Sequence, residues 1–202
     1  MASILVVCTG NVCRSPIAEG LLRAGLASRL GRDAPAVSSV GTTGWSGSGA
    51  DPNSVEAAAE RGVDISGHRA RELSDHHVAS ATLILAMSGE HARAVVAREP
   101  DAASRTFTLK ELVRLLESLP PVDPPAASGS DLASRVAAAE ELRASGFAGN
   151  PNDQDVADPL GLPLDSFRAV AWELDEWIAR LVDGLLGRAE AAVAGAADGD
   201  GP

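Results

Sequence analysis

The chain has 202 residues, 45% of them hydrophobic, enough for one domain with a substantial core. Its net charge of −11 argues against nucleic-acid or membrane-surface binding, so any anion it takes must find a local positive site. The apolar run near the N-terminus is about five residues, too short for a signal peptide or a spanning helix, which points to the cytoplasm.

The elements alternate along the chain. Ile4–Val7 reads as a buried strand that stops at Cys8, and an amphipathic helix follows over Ile17–Leu30, with Ile17, Leu21, Leu22 and Leu26 at helical spacing. Ser15 can cap that helix and Pro16 suits its first position. Ala36–Val40 is a second strand ending at Gly41, and a Gly/Ser loop from Thr42 to Gly49 carries Trp45. Asp51-Pro52 opens a helix to about Arg61. Leu83–Met87 is a third strand, and a helix starts at Ser88 and runs to about Arg98. Arg105–Phe107 is a short fourth strand, followed by a helix over Leu109–Glu117. Residues 119–130, rich in Pro, Ala, Ser and Gly, read as a linker, and Asp131–Ala144 as a polar helix. The last helix spans Leu164–Leu186, with Phe167, Val170, Leu174, Trp177, Ile178 and Leu181 on one face. Residues 188–202 have the Ala, Gly and Asp content of a disordered tail. Strands alternating with helices imply an α/β fold: one domain over 1–187, a parallel sheet with helices on both faces and its ligand site beyond the carboxyl ends of the strands.

Chemistry concentrates at the end of the first strand. Five residues separate Cys8 from Arg14 in Cys-Thr-Gly-Asn-Val-Cys-Arg-Ser-Pro, at a strand-to-helix turn. Such a loop and the helix N-terminus turn their N–H groups to one point and form an anion site. Arg14 adds a planar fork for two phosphate oxygens. Cys8, in that positive field, is expected to be a thiolate at neutral pH and a nucleophile for phosphoryl transfer. The two cysteines lie five apart in one loop, which is no disulfide framework, and no histidine sits at ligand spacing for zinc. No metal or cofactor is expected. A leaving oxygen needs an acid and the later water a base, and one carboxyl group can do both. Three Asp-Pro pairs offer one, at 51–52, 123–124 and 158–159.

Residues 8–16 closely resemble the phosphate loop of the low-molecular-weight protein tyrosine phosphatases, and matching segments extend over about residues 3–185. The resemblance implies a four-stranded parallel sheet, with Thr9, Gly10, Asn11, Val12, Cys13, Arg14 and Ser15 as the phosphate loop around Cys8. It selects Asp158, in Val-Ala-Asp-Pro-Leu-Gly before the last helix, as the general acid and base. It implies that Ser15 donates to the thiolate, that Ser39 and His68 support Asn11, that Trp45 rims the pocket and that Cys13 is a resolving thiol that protects Cys8 from irreversible oxidation. Leu160 stands where the family usually has an aromatic residue, and with no Tyr in the chain the tyrosine phosphorylation of some members cannot operate. A subgroup that acts on phosphoarginine carries Thr at the position of Val12, which favours phosphotyrosine, in proteins or as a small aryl phosphate, as the substrate. Residues 119–155 are longer than the family's usual connection. Two rivals remain: an arsenate reductase using an external thiol, since no Cys follows Cys13, and a phosphate- or phosphopeptide-binding module without turnover. Oligomeric state is left open.

Overall fold

A computed structural model describes residues 2–43, 45–122, 131–147 and 153–188. In chain order the elements are β1 (Ser3–Cys8), α1 (Arg14–Leu30), β2 (Ala36–Gly41), α2 (Pro52–Ala59), α3 (Asp75–Ser80), β3 (Leu83–Ala86), α4 (Gly89–Arg98), β4 (Thr106–Thr108), α5 (Leu109–Ser118), α6 (Leu132–Ala144) and α7 (Leu164–Leu186).

The four strands form one parallel sheet in the order β2-β1-β3-β4. Their apolar runs are buried on both sides, as a parallel sheet under two helical layers requires. Alternation along β1 sends Ile4, Val6 and Cys8 into the larger core, with α1, α2, α5, α6 and α7, and Leu5 and Val7 into the smaller one, with Val78 of α3 and Val95 of α4. From β1 the chain pairs outward to β2 and then crosses to β3 on the other side of β1. The carboxyl end of β1 is therefore the topological switch point, where such sheets bind ligands. Cys8 ends β1 there.

Helix starts follow local chemistry. The Asp51 carboxylate accepts from Asn53 N at 2.8 Å, Ser88 caps α4, and Thr108 forms a reciprocal capping box with Glu111. The start of α1 departs from expectation. It begins at Arg14, its cap position is Cys13, and no side chain caps it. Ser15 lies inside the first turn because its hydroxyl is drawn to Cys8 and Asn11. Pro16, also in the first turn, still lacks only an N–H that would have no helical partner. Sequence reading passed over α3, six residues capped by Ser74. Trp177 sits at the edge of the core, half-buried, with Arg114 and Arg180 stacked over its ring. The linker residues 123–130 and the tail 189–202 lie outside the described residues. No helix among the described residues is long and apolar enough to cross a membrane.

Candidate active site

The turn between β1 and α1 is built around Asn11, which holds φ +56°, the one positive φ at a non-glycine residue among those described. A left-handed asparagine needs its side chain tied down. Asn11 Nδ2 donates to Ser15 Oγ at 2.9 Å and to Ser39 Oγ at 2.8 Å, while its Oδ1 accepts from the Arg71 amide at 2.9 Å. Ser39 in turn donates to Glu19 at 2.5 Å, and Glu19 also pairs with Arg23. His68 Nε2 lies 2.8 Å from the Asn11 carbonyl, which can only accept, so Nε2 carries the hydrogen. Burial holds the His68 pKa below its usual value and keeps the ring neutral.

This scaffold turns the loop's carbonyls outward. The carbonyls of Cys8, Thr9, Asn11 and Val12 accept from Thr42, Thr43, His68 and Asp51 respectively. Among the described residues, no amide of residues 9–13 donates to a protein acceptor. Carbonyls out and amides free is the arrangement of an anion cradle. Gly41 makes the close approach possible. A Cβ there would meet the Thr9 carbonyl oxygen at 2.5 Å and the Gly10 carbonyl carbon at 2.9 Å.

The candidate reactive groups lie inside this cradle. Cys8 is buried, its Sγ 2.9 Å from Ser15 Oγ. The Arg14 side chain is 7% exposed. It donates to Val156 O at 3.2 Å, to Thr9 Oγ1 at 3.2 Å and to Asp158 Oδ2 at 2.6 Å, whereas its buried Nε has no partner among the described residues. A buried unpaired guanidinium N–H is costly unless an anion takes it. Cys13 is also buried and in no disulfide, and burial pushes its thiol pKa up to about 12. Across the mouth, Trp45 lies over Gly10, whose added Cβ would meet the indole at 3.1 Å. No group of three metal-ligating side chains occurs among the described residues.

The family model described as low molecular weight phosphotyrosine protein phosphatase matches residues 3–148. The chain belongs to this family. Members are hydrolases that work through a cysteine. The chain is 46% identical over 112 residues to the probable low molecular weight protein-tyrosine-phosphatase EpsP of Ralstonia solanacearum, covering 54% of this chain and 72% of that one. It is 33% identical over 184 residues to a protein-arginine-phosphatase of Geobacillus stearothermophilus, covering 90% and 95%. Among solved structures it superposes on a low molecular weight protein tyrosine phosphatase from T. tengcongensis with a TM-score of 0.67 at 33% identity, covering 92% of this chain and all of the other.

The structure brings the residues proposed from the sequence together. Thr9, Gly10, Asn11, Val12, Cys13, Arg14 and Ser15 form one turn around Cys8, with Ser39 and His68 behind Asn11 and Asp158 in front of Arg14. Trp45 and Leu160 are both exposed. Asp158 lies beyond the stretch that the family model matches. Three contributors went unnoticed in the sequence. Arg71 supplies its amide to Asn11 and its guanidinium to the Ser39 carbonyl at 3.1 Å, both backbone contacts with no sequence signature. Glu19 reads as an ordinary polar position on a helix. His91 is buried and lies three residues after the cap Ser88, a spacing that could have drawn attention at the end of β3. Its Nε2 is 2.9 Å from Thr9 Oγ1 and its Nδ1 2.9 Å from Ser88 Oγ.

Proposed function

We propose that the protein is a phosphatase of phosphotyrosine in proteins or small aryl phosphates, acting in the cytoplasm through a phosphocysteine at Cys8. The observation that carries this reading is the ring of unpaired amides and the orphaned Arg14 Nε around the buried Cys8 Sγ. A phosphoryl group seated there satisfies each of these donors, and its charge persists in the transition state they face. Cys8 attacks phosphorus in line, the P–O bond to the phenol breaks, and Asp158 delivers the proton to the leaving oxygen. Asp158 then takes a proton from water as it attacks the phosphocysteine, and Cys8 leaves with Ser15 donating to its sulfur. Without substrate Asp158 is paired with Arg14, so the arriving phosphate competes for that guanidinium and frees the carboxyl group for proton transfer. Every role is filled by this chain's own side chains and amides.

Hydrolysis of p-nitrophenyl phosphate, with wild type beside Cys8→Ser and Asp158→Ala, tests the reading. Cys8→Ser should lose about ten-thousand-fold or more of turnover while still binding vanadate or phosphate. Asp158→Ala should slow poor leaving groups by about a hundredfold and good ones far less. Equal losses for both would remove Asp158 from the acid role. Tight oxyanion binding without wild-type turnover would make the protein a binding module.

A second reading has its own support. The match to the Geobacillus arginine phosphatase runs over 90% of this chain, whereas that to EpsP covers 54%. Phosphoarginine would break a P–N bond at the same sulfur. Val12, buried and without a hydroxyl, favours phosphotyrosine. Turnover of matched phosphotyrosine and phosphoarginine peptides decides, and equal rates would defeat the case from Val12.

Cys13 fits the resolving role. Peroxide converts the Cys8 thiolate to a sulfenic acid, Cys13 sulfur displaces water, and a disulfide forms. A sulfenic acid is itself reduced by dithiothreitol, and a thiol held protonated by burial resolves slowly, so prolonged exposure to low peroxide followed by dithiothreitol should restore activity to wild type and not to Cys13→Ser, whose Cys8 goes on to the sulfinic acid. Equal recovery in both would end this reading.

A further inference from the structure

The large exposed hydrophobic side chains among the described residues are Trp45, Leu160, Leu162 and Trp172. They are not scattered. Trp45 covers Gly10 of the phosphate loop. The Leu160 amide donates to Asp158 Oδ1 at 3.2 Å. Leu162 and Trp172 line a groove of about 560 Å³ together with Asp158, Pro159, Val170 and Glu173. One wall is the acid loop and the other is α7, so the groove is continuous with the site where the phosphoryl group is taken. Trp172 is 54% exposed and sits on a 23-residue helix, so this wall is in place before anything binds. The Glu173 carboxylate on that wall is paired with Lys110 at 2.6 Å, and Asp158 with Arg14, which leaves the groove's character apolar.

We propose that this groove is a specificity subsite for the substrate polypeptide, taking a large apolar side chain within a few residues of the phosphoresidue. The inference rests on the phosphatase reading above and adds what that enzyme selects. Continuity decides the occupant: a peptide whose phosphoryl group sits in the loop must run past the Asp158 edge, and the groove opens from that edge. Other occupants fit less well. Residues 189–202 offer no apolar side chain larger than Val193 to fill it. A second copy would bring together two chains of charge −11. Clustered exposed tryptophan and leucine mark a recognition surface rather than an ordinary solvated face.

The test is a peptide series in which leucine is moved through the three positions on either side of the phosphoresidue in an alanine–lysine background, measured beside p-nitrophenyl phosphate. Leucine at one or more positions should raise kcat/KM about tenfold, the scale of apolar side-chain discrimination, chiefly through KM. Trp172→Ala and Leu162→Ala should each abolish that preference and leave p-nitrophenyl phosphate turnover unchanged. No preferred position in wild type, or a preference that survives both substitutions, overturns the proposal. So does a change of oligomeric state in Trp172→Ala with the peptide preference intact, which would make the groove a contact between copies. Failure of wild type on p-nitrophenyl phosphate is a different result: it removes the phosphatase reading, and the subsite falls with it.

Discussion

The phosphate loop and the acid loop meet at one ion pair, Arg14 with Asp158, but are held there by different means. Behind the phosphate loop, Asn11 is tied to Ser15, Ser39 and Arg71 in a buried network. The acid loop is fastened upstream. Asp153 pairs with Lys110 and Arg114, the Asp155 carboxylate accepts from Gly89 N at 2.8 Å, and Val156 N donates to Met87 O at 2.8 Å. Beyond Val156 the loop is exposed except at Pro159, and the Asp158 side chain is 44% exposed against 7% for Arg14. Charge stabilisation needs donors that do not move, whereas an acid that first donates and then accepts a proton needs some freedom. The difference in anchoring matches the roles proposed for the two loops.

The largest effect should come from breaking the rigid side. Asn11→Ala strands the partners of three hydrogen bonds and puts a β-carbon without a tether in a left-handed turn, so a stability loss of about 3 kcal/mol is expected by urea denaturation. A loop displaced by about 1 Å should cost about a hundredfold in kcat/KM. Gly41→Ala attacks the same loop from outside. The added Cβ meets backbone atoms that cannot rotate away, and about 2 kcal/mol of stability should go. In both variants, rates should still depend on Asp158 and on the leaving group, because the acid loop has its own anchors. If that dependence vanished, the two loops would be one unit.

The movable side should fail differently. Lys110, the one lysine in the chain, is buried between Asp153 and Glu173 at 2.9 and 2.6 Å. Burial works against its charge, but the bonds from Glu173 and Asp153 prevail and hold its pKa above the usual value. Lys110→Met removes one of the upstream anchors, strips Glu173 of its ion-pair partner and leaves Asp153 to Arg114 alone. Turnover of poor leaving groups should fall by about tenfold, with vanadate affinity unchanged. A parallel loss of vanadate affinity would show that Lys110 also supports the phosphate loop. Leu160→Phe should act more weakly still. It restores a ring beside Asp158 and should lower KM for aryl phosphates by about threefold, an aromatic pair's worth against Trp45.

How much of this was legible follows from how far the contributors lie apart in the chain. Strand, Cys8, Arg14 and helix fall within 30 residues, so periodicity and loop chemistry alone pointed to the nucleophile proposed here. Asp158 was one of three Asp-Pro pairs, and only the family resemblance chose among them, because its contact with Arg14 spans 144 residues. Ser39 and His68 came the same way. The cap assigned to Ser15 failed because capping preference is local, while the hydroxyl had tertiary partners in Cys8 and Asn11. At six residues α3 is too short for a periodic signal. Trp172 went unremarked because a helical pattern identifies the face that is buried and says nothing of what the other face adjoins.

His91 joins the two loops, and its titration gives the smallest and sharpest effect. It packs on Thr9 of the phosphate loop from α4, whose first amide holds Asp155 of the acid loop. Arg14 already donates to Thr9 Oγ1, so a consistent direction has the Thr9 hydroxyl donating to His91 Nε2 and Nδ1–H to Ser88. That requires a neutral ring. Burial, and then the Arg14 charge, lower the His91 pKa from 6.5 to about 4 against the opposing carboxylates of Glu90, Asp155 and Asp158. Between those values the unfolded chain binds more protons than the folded one, so the contribution to stability is complete above pH 6.5 and is lost as pH falls toward 4. His68 and His77, also lowered by burial, act in the same sense. His91→Gln keeps a hydrogen-bonding group at Thr9 and cannot titrate. Its melting temperature should be close to wild type at pH 7.5, and its decline between pH 6.5 and 4.5 should be shallower without disappearing. Over the same range its kcat/KM for p-nitrophenyl phosphate should fall about twofold less than wild type, because a charged His91 would give up the Thr9 bond and repel Arg14. An unchanged slope in both measurements would move the acid sensitivity to the carboxylates of the acid loop, and the two loops would then respond to pH independently.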